Sequence, residues 1–147
     1  MAIANLQTKT APETRYFQVV AGRDPLEGMF PIGVWLGYSF LYSDQVASVV
    51  SVPIYPGARV NAVKLEVTTA FAGTTAVVVG DGSAANGWIA TGVITPTTLN
   101  DFGGDYDAAY AVKGKKYTTG DTIDVTFTGV ATAGAGILWV NVISYAE

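Results

Sequence analysis

Apolar residues in this chain recur at every second position, and that period leaves little choice of fold. Between Asp121 and Thr128, Ile123, Val125 and Phe127 alternate with Thr122, Asp124, Thr126 and Thr128, the pattern of a β-strand with one dry and one wet face. Residues 58–69 repeat it, with Val63, Leu65 and Val67 on one side and Lys64, Glu66 and Thr68 on the other. Further strands are predicted over residues 15–20, 46–54, 75–79, 87–94 and 110–117. In residues 136–145, Leu138, Val140 and Val142 face one way while Ile137, Trp139, Ile143 and Tyr145 face the other. A strand apolar on both faces is expected between packed layers or beneath another subunit.

Helix has no comparable signal. The alanine pairs Ala84-Ala85 and Ala108-Ala109 sit close to glycine or turn residues, and no long run of strong helix formers exists. Tyr55-Pro56-Gly57, Ala72-Gly73, Gly80-Asp81-Gly82, Asn100 to Gly104 and Thr119-Gly120-Asp121 supply turns. About eight strands joined this way predict an all-β fold, a single jelly-roll-like β-sandwich. The sandwich is placed over residues 15–147. Residues 1–14 show little apolar pattern and are expected to form an extended N-terminal arm, either a frayed end or a segment lying along a partner.

The chain has no cysteine and no histidine, which removes disulfides, zinc-thiolate sites, thiol nucleophiles and imidazole bases. Eight Lys and Arg against twelve Asp and Glu give a net charge of −4, so there is no basic field to collect nucleic acid. The start lacks the basic and apolar regions of a secretory signal, and the mature chain is expected to begin at Met1. The most apolar stretch, GMFPIGVWLGYSFLY over residues 28–42, carries a proline and three glycines and falls short of the roughly 20 residues a bilayer span requires. It is expected in the core or an interface, not in a membrane.

Few residues suggest chemistry. Asp101, Asp105 and Asp107 share a glycine-bearing loop and could offer oxygen ligands to calcium, although the spacing is not that of an EF-hand; a solvated acidic loop is the plainer expectation. Gly80-Asp81-Gly82-Ser83 lacks the Gly-Lys-Ser/Thr of a phosphate loop and is expected to be a tight turn. The other acids are too scattered to nominate a glycosidase pair. No catalytic residue and no cofactor are expected; a hydrolase using acidic residues alone is the weakest reading.

The aromatic residues carry more. Phe30, Trp35, Tyr38, Phe40 and Tyr42 crowd beside Ile32, Val34, Leu36 and Leu41, more than a small sandwich needs, and surplus of this kind marks subunit contacts. Phe30, Trp35, Tyr38 and Phe40, with Trp139 and Tyr145 of the last strand, are the candidate interface residues. Trp88 and Tyr106, on predicted loops, are the candidates for stacking on a sugar.

Phe71-Ala72-Gly73-Thr74-Thr75, Val79-Gly80-Asp81-Gly82, Asn86-Gly87-Trp88, residues 117–125 (YTTGDTIDV) and residues 140–145 (VNVISY) together resemble the small β-sandwich capsid decoration, or cement, proteins of tailed bacteriophages. The resemblance covers residues 60–145. It implies a jelly-roll-like subunit, often a homotrimer, that sits on the outside of a phage head and clamps neighbouring major capsid proteins. It also implies no catalytic residues; assembly in the host cytoplasm is expected, and the charge and segment lengths above argue for neither nucleic acid nor membrane as a partner. The alternative is a fibre or tail-tip module that binds a host-surface glycan.

Overall fold

The structure is a computed structural model that describes residues 33–144. Within it the strands are β1 (Val34–Leu41), β2 (Val49–Ile54), β3 (Arg59–Ala72), β4 (Ala76–Gly80), β5 (Phe102–Gly103), β6 (Lys115–Lys116), β7 (Asp121–Thr128) and β8 (Ala133–Ser144). They form two antiparallel sheets. One has the order β1-β8-β3-β5, with β6 also paired to β3; the other has the order β2-β7-β4. The expected all-β sandwich is what the chain forms. The arm, the strand expected at residues 15–20, Phe30 and Tyr145 lie outside the described residues.

The period-two pattern assigns the faces. Val63, Leu65 and Val67 of β3, with Leu138, Val140 and Val142 of β8, turn inward against Val50, Val52 and Ile54 of β2, Val77 and Val79 of β4, and Ile123, Val125 and Phe127 of β7. Burying a side chain of this size contributes about 1.5–3 kcal/mol each. β8 pairs with β1 and β3 along its two edges, and its inner face is dry because it packs against the second sheet. Its other face, with Trp139, belongs to the surface described below.

Two expectations need correction, and one strand was not anticipated. Residues 87–94 do not form a strand: Ile89 exchanges one pair of backbone bonds with Val79, and the chain then turns through Gly92, whose φ of +91° suits a residue without a Cβ. Of residues 110–117, only Lys115–Lys116 pair. The apolar side chains that suggested strands there, Trp88, Ile89, Ile94 and Tyr117, instead drop from the β4–β7 connection into the core. The apolar stretch at residues 28–42, in turn, contains a regular strand, β1, whose Leu36, Tyr38 and Phe40 face the core.

Candidate interaction surface

β1 and β8 pair with Gly37 opposite Trp139 and Trp35 opposite Asn141, while β3 places Lys64 opposite Trp139 on the other side. Because paired residues in an antiparallel sheet share a face, Trp35, Trp139 and Lys64 all point away from the core. β5 adds Phe102, opposite Glu66. Trp35, Lys64, Phe102 and Trp139 line a cleft of about 280 Å³. The Lys64 ammonium lies 5.6 Å from the Trp35 ring and 5.5 Å from the Phe102 ring, and each such contact contributes about 0.5–1 kcal/mol at an exposed site. The Trp139 indole donates to Glu66 Oε1 at 2.9 Å, which fixes the ring as the floor of the cleft.

Glycine makes that floor possible. A Cβ on Gly37 would stand 2.8 Å from the Trp139 ring, so the indole covers the glycine backbone directly. On the opposite face Phe40 covers Gly136, its cross-strand neighbour, with a would-be Cβ 2.9 Å from the ring. Aromatic rings laid over cross-strand glycines stabilise the pairing and pin its register. Gly37→Ala should push Trp139 out of place and off Glu66, lowering stability by about 1–3 kcal/mol with a changed tryptophan emission spectrum; an unaltered spectrum and melt would show that the ring does not rest there.

A second constellation is internal. Asp81 follows β4, opens the turn after it and is buried. Its Oδ1 accepts from the backbone N–H groups of Ser83 and Ala84 at 2.9 and 3.0 Å and from the Tyr110 hydroxyl at 3.2 Å. Its Oδ2 accepts from the Tyr117 hydroxyl at 2.9 Å and from the Lys115 ammonium at 2.5 Å. Tyr117 in turn accepts from the Trp88 indole at 3.0 Å, and Lys115 lies over the Tyr110 ring, 4.3 Å from its centroid.

Burial pushes the Asp81 carboxyl up, but Lys115, the two backbone N–H groups and Tyr117 outweigh it and hold it below the ordinary carboxylate value. Burial works against the Lys115 charge too, and Asp81 and Tyr110 more than offset it, so this group is raised. Tyr117 is held well above the usual phenol range by burial, with the Trp88 hydrogen bond opposing and the Asp81 charge adding. All of these groups satisfy one another, and the cluster ties the β4–β7 connection to the sandwich.

The sequence candidates separate accordingly. Trp35 and Trp139, chosen from segments about a hundred residues apart, meet in one cleft. Phe40 is a core residue stacked on Phe71 at 6.1 Å, and Tyr38 packs partly buried against the same core. Trp88 is fully buried, so no face of its ring is open to a sugar, and its indole N–H is committed to Tyr117. Tyr106 is exposed. Asp101, Asp105 and Asp107 do not converge: Asp101 accepts from the Thr95 N–H and Asp105 from the Ala90 and Asp107 N–H groups. Among the described residues no group of three acidic side chains could hold a metal ion.

Sequence reasoning missed Lys64, Glu66 and Phe102 as parts of the surface, and Asp81 as the centre of the buried cluster. Lys64 and Glu66 read as an ordinary wet strand face, and the only available signal was their place on the same strand face, two residues apart.

The two antiparallel sheets, packed face to face, define the fold class, an all-β sandwich. No protein-family model and no curated protein matches the sequence. Among solved structures, the chain is similar to one from the acidic stable capsid structure of Helicobacter pylori bacteriophage KHP30, at 18% identity and a TM-score of 0.54, over 77% of this chain and 88% of that chain. That likeness establishes a shared fold.

Proposed function

We propose that this chain is a structural component of a phage virion, and that it works by contact and not by turnover. The observation that carries this reading is the fold it shares, over most of both chains, with a protein of a phage capsid structure. The finer reading is a decoration protein on the outside of the head, joining neighbouring major capsid proteins. The Trp35–Lys64–Phe102–Trp139 face is the capsid-facing surface in this reading, since it gathers exposed aromatic rings around one cation, and aromatic residues are enriched at the centres of protein interfaces. Repetition over a symmetric shell turns a modest contact into strong retention.

The test is co-sedimentation with empty phage heads. The Phe102→Ala and Lys64→Ala variants, altered at the cleft, should each weaken retention by about 1–2 kcal/mol, or roughly tenfold, with circular dichroism spectra that match the folded parent chain. Undiminished retention of both would remove the cleft from the contact. Failure of the parent chain to bind any head, combined with binding to a glycan array, would replace the virion-shell reading with that of a fibre or tail-tip module.

A further inference from the structure

The acidic residues nearest Lys64 along the strands of its cleft are all committed elsewhere. Glu66 lies two residues further on the same outer face of β3, within reach of a lysine side chain, but its Oε1 accepts from the Trp139 indole. Asp101 and Asp105 stand on either side of β5. Asp101 accepts from the Thr95 N–H at 2.6 Å, and Asp105 accepts from the Ala90 and Asp107 N–H groups at 3.1 and 3.0 Å. Among the described residues the one ion pair joins Lys115 to Asp81. The Lys64 ammonium is left with the Trp35 and Phe102 rings, whose faces offer far less negative charge than a carboxylate does. Its stem is placed by backbone: a Cβ on Gly104 would stand 3.3 Å from Lys64 Cγ and 2.8 Å from the Val63 carbonyl oxygen, so the chain after β5 passes directly against the lysine.

We infer that the cleft receives an acidic side chain of the protein it docks on, an Asp or Glu beside an apolar residue, with the carboxylate on the Lys64 ammonium and the apolar residue against the Trp35, Phe102 and Trp139 rings.

The assignment rests on the reading of this cleft as the contact surface and names what it contacts. One cation lines the cleft and the other three lining residues are aromatic, a match for a single negative charge on an apolar neighbour. A phosphate chain would need several cations. Trp35 and Phe102 are 44% and 52% exposed, so their rings are open to a partner. A chain with a net charge of −4 repels an acidic segment over most of its surface and accepts it where Lys64 stands, which fixes where the partner docks and in what orientation.

The first experiment uses 3-phenylpropionate as the probe, with its neutral amide as the control, and follows the Trp139 indole N–H of the full chain by NMR. The carboxylate should bind about fivefold more tightly than the amide to the parent and to Lys64→Arg, and this preference should vanish in Lys64→Met, which keeps the stem and removes the charge. Equal binding of acid and amide, or a preference that survives in Lys64→Met, overturns the assignment. Circular dichroism reports folding, and Lys64→Gln replaces Lys64→Met if that variant does not fold. The second experiment is retention on empty phage heads, where Lys64→Met should lose about tenfold and Lys64→Arg little. Weakened retention of Phe102→Ala with full retention of Lys64→Met overturns the carboxylate and leaves the cleft as the contact. A parent chain that binds no head yet prefers the acid through Lys64 supports the carboxylate site and removes the capsid reading instead.

Discussion

Asp81→Ala should lower the free energy of unfolding by about 3–5 kcal/mol, because several donors lose their acceptor at once. The carboxylate has five donors, from Ser83, Ala84, Tyr110, Lys115 and Tyr117. Alanine leaves those that are buried without an acceptor, and each such group costs about 1–3 kcal/mol. Lys115→Met should cost less, because the Lys115 side chain is partly exposed and Asp81 would keep its other four donors. Urea denaturation measures both, and a variant ordering with Lys115→Met as the more damaging would show that the ammonium, and not the carboxylate, organises the cluster.

The pH dependence has a definite sign. Asp81 is held below its ordinary value of 3.8, so its contribution is complete above that value and is lost as pH falls through the depressed folded-state value. Lys115 is raised above 10.5, so its contribution is complete below that value and is lost only as pH climbs through the raised one. The gap in melting temperature between the parent and Asp81→Ala should therefore stay constant from neutral to mildly acidic pH and close only in stronger acid. A gap that closes near neutrality would rule out the depressed carboxyl.

The second large effect is expected at Trp88. Trp88→Ala should cost about 3–5 kcal/mol, since the side chain is fully buried and packs edge-on against Tyr110 at 5.4 Å. The loss also frees Tyr117 from its indole donor. Because Trp88, Tyr117 and Asp81 form one hydrogen-bonded chain, combining Trp88→Ala with Asp81→Ala should cost less than the sum of the two, with a coupling of about 0.5–3 kcal/mol. Strict additivity in a double-mutant cycle would mean that Trp88 acts only by filling space.

Strands whose stability comes from alternation were legible in the sequence. β7 was marked residue for residue by Ile123, Val125 and Phe127, and β3 by Val63, Leu65 and Val67. Bulges between Val67 and Ala72 carry β3 past its expected end, and no side-chain period reveals a bulge. The stretches around Trp88 and Tyr117 misled because apolar content alone cannot separate a strand from a loop that plugs a core. The importance of Asp81 was hidden by its two flanking glycines, which signal a turn whether or not the aspartate is buried. For the surface, Trp35 and Trp139 were visible as surplus aromatics. Phe102 was not, because it joins them only through the two-residue pairing of β5 with β3, a non-local event.

The strand order also sets a schedule for synthesis. β8 is the last of the described strands to leave the ribosome, yet it sits between β1 and β3, the first of which it meets across a sequence separation of about a hundred residues. Until β8 arrives, β1 has no neighbour on its β8 side and Trp139 is not yet present to cover Gly37. The sandwich therefore closes late, after nearly all of the described chain has been made. During that interval the β8 side of β1 is an unpaired strand edge, the kind of surface through which incomplete chains associate.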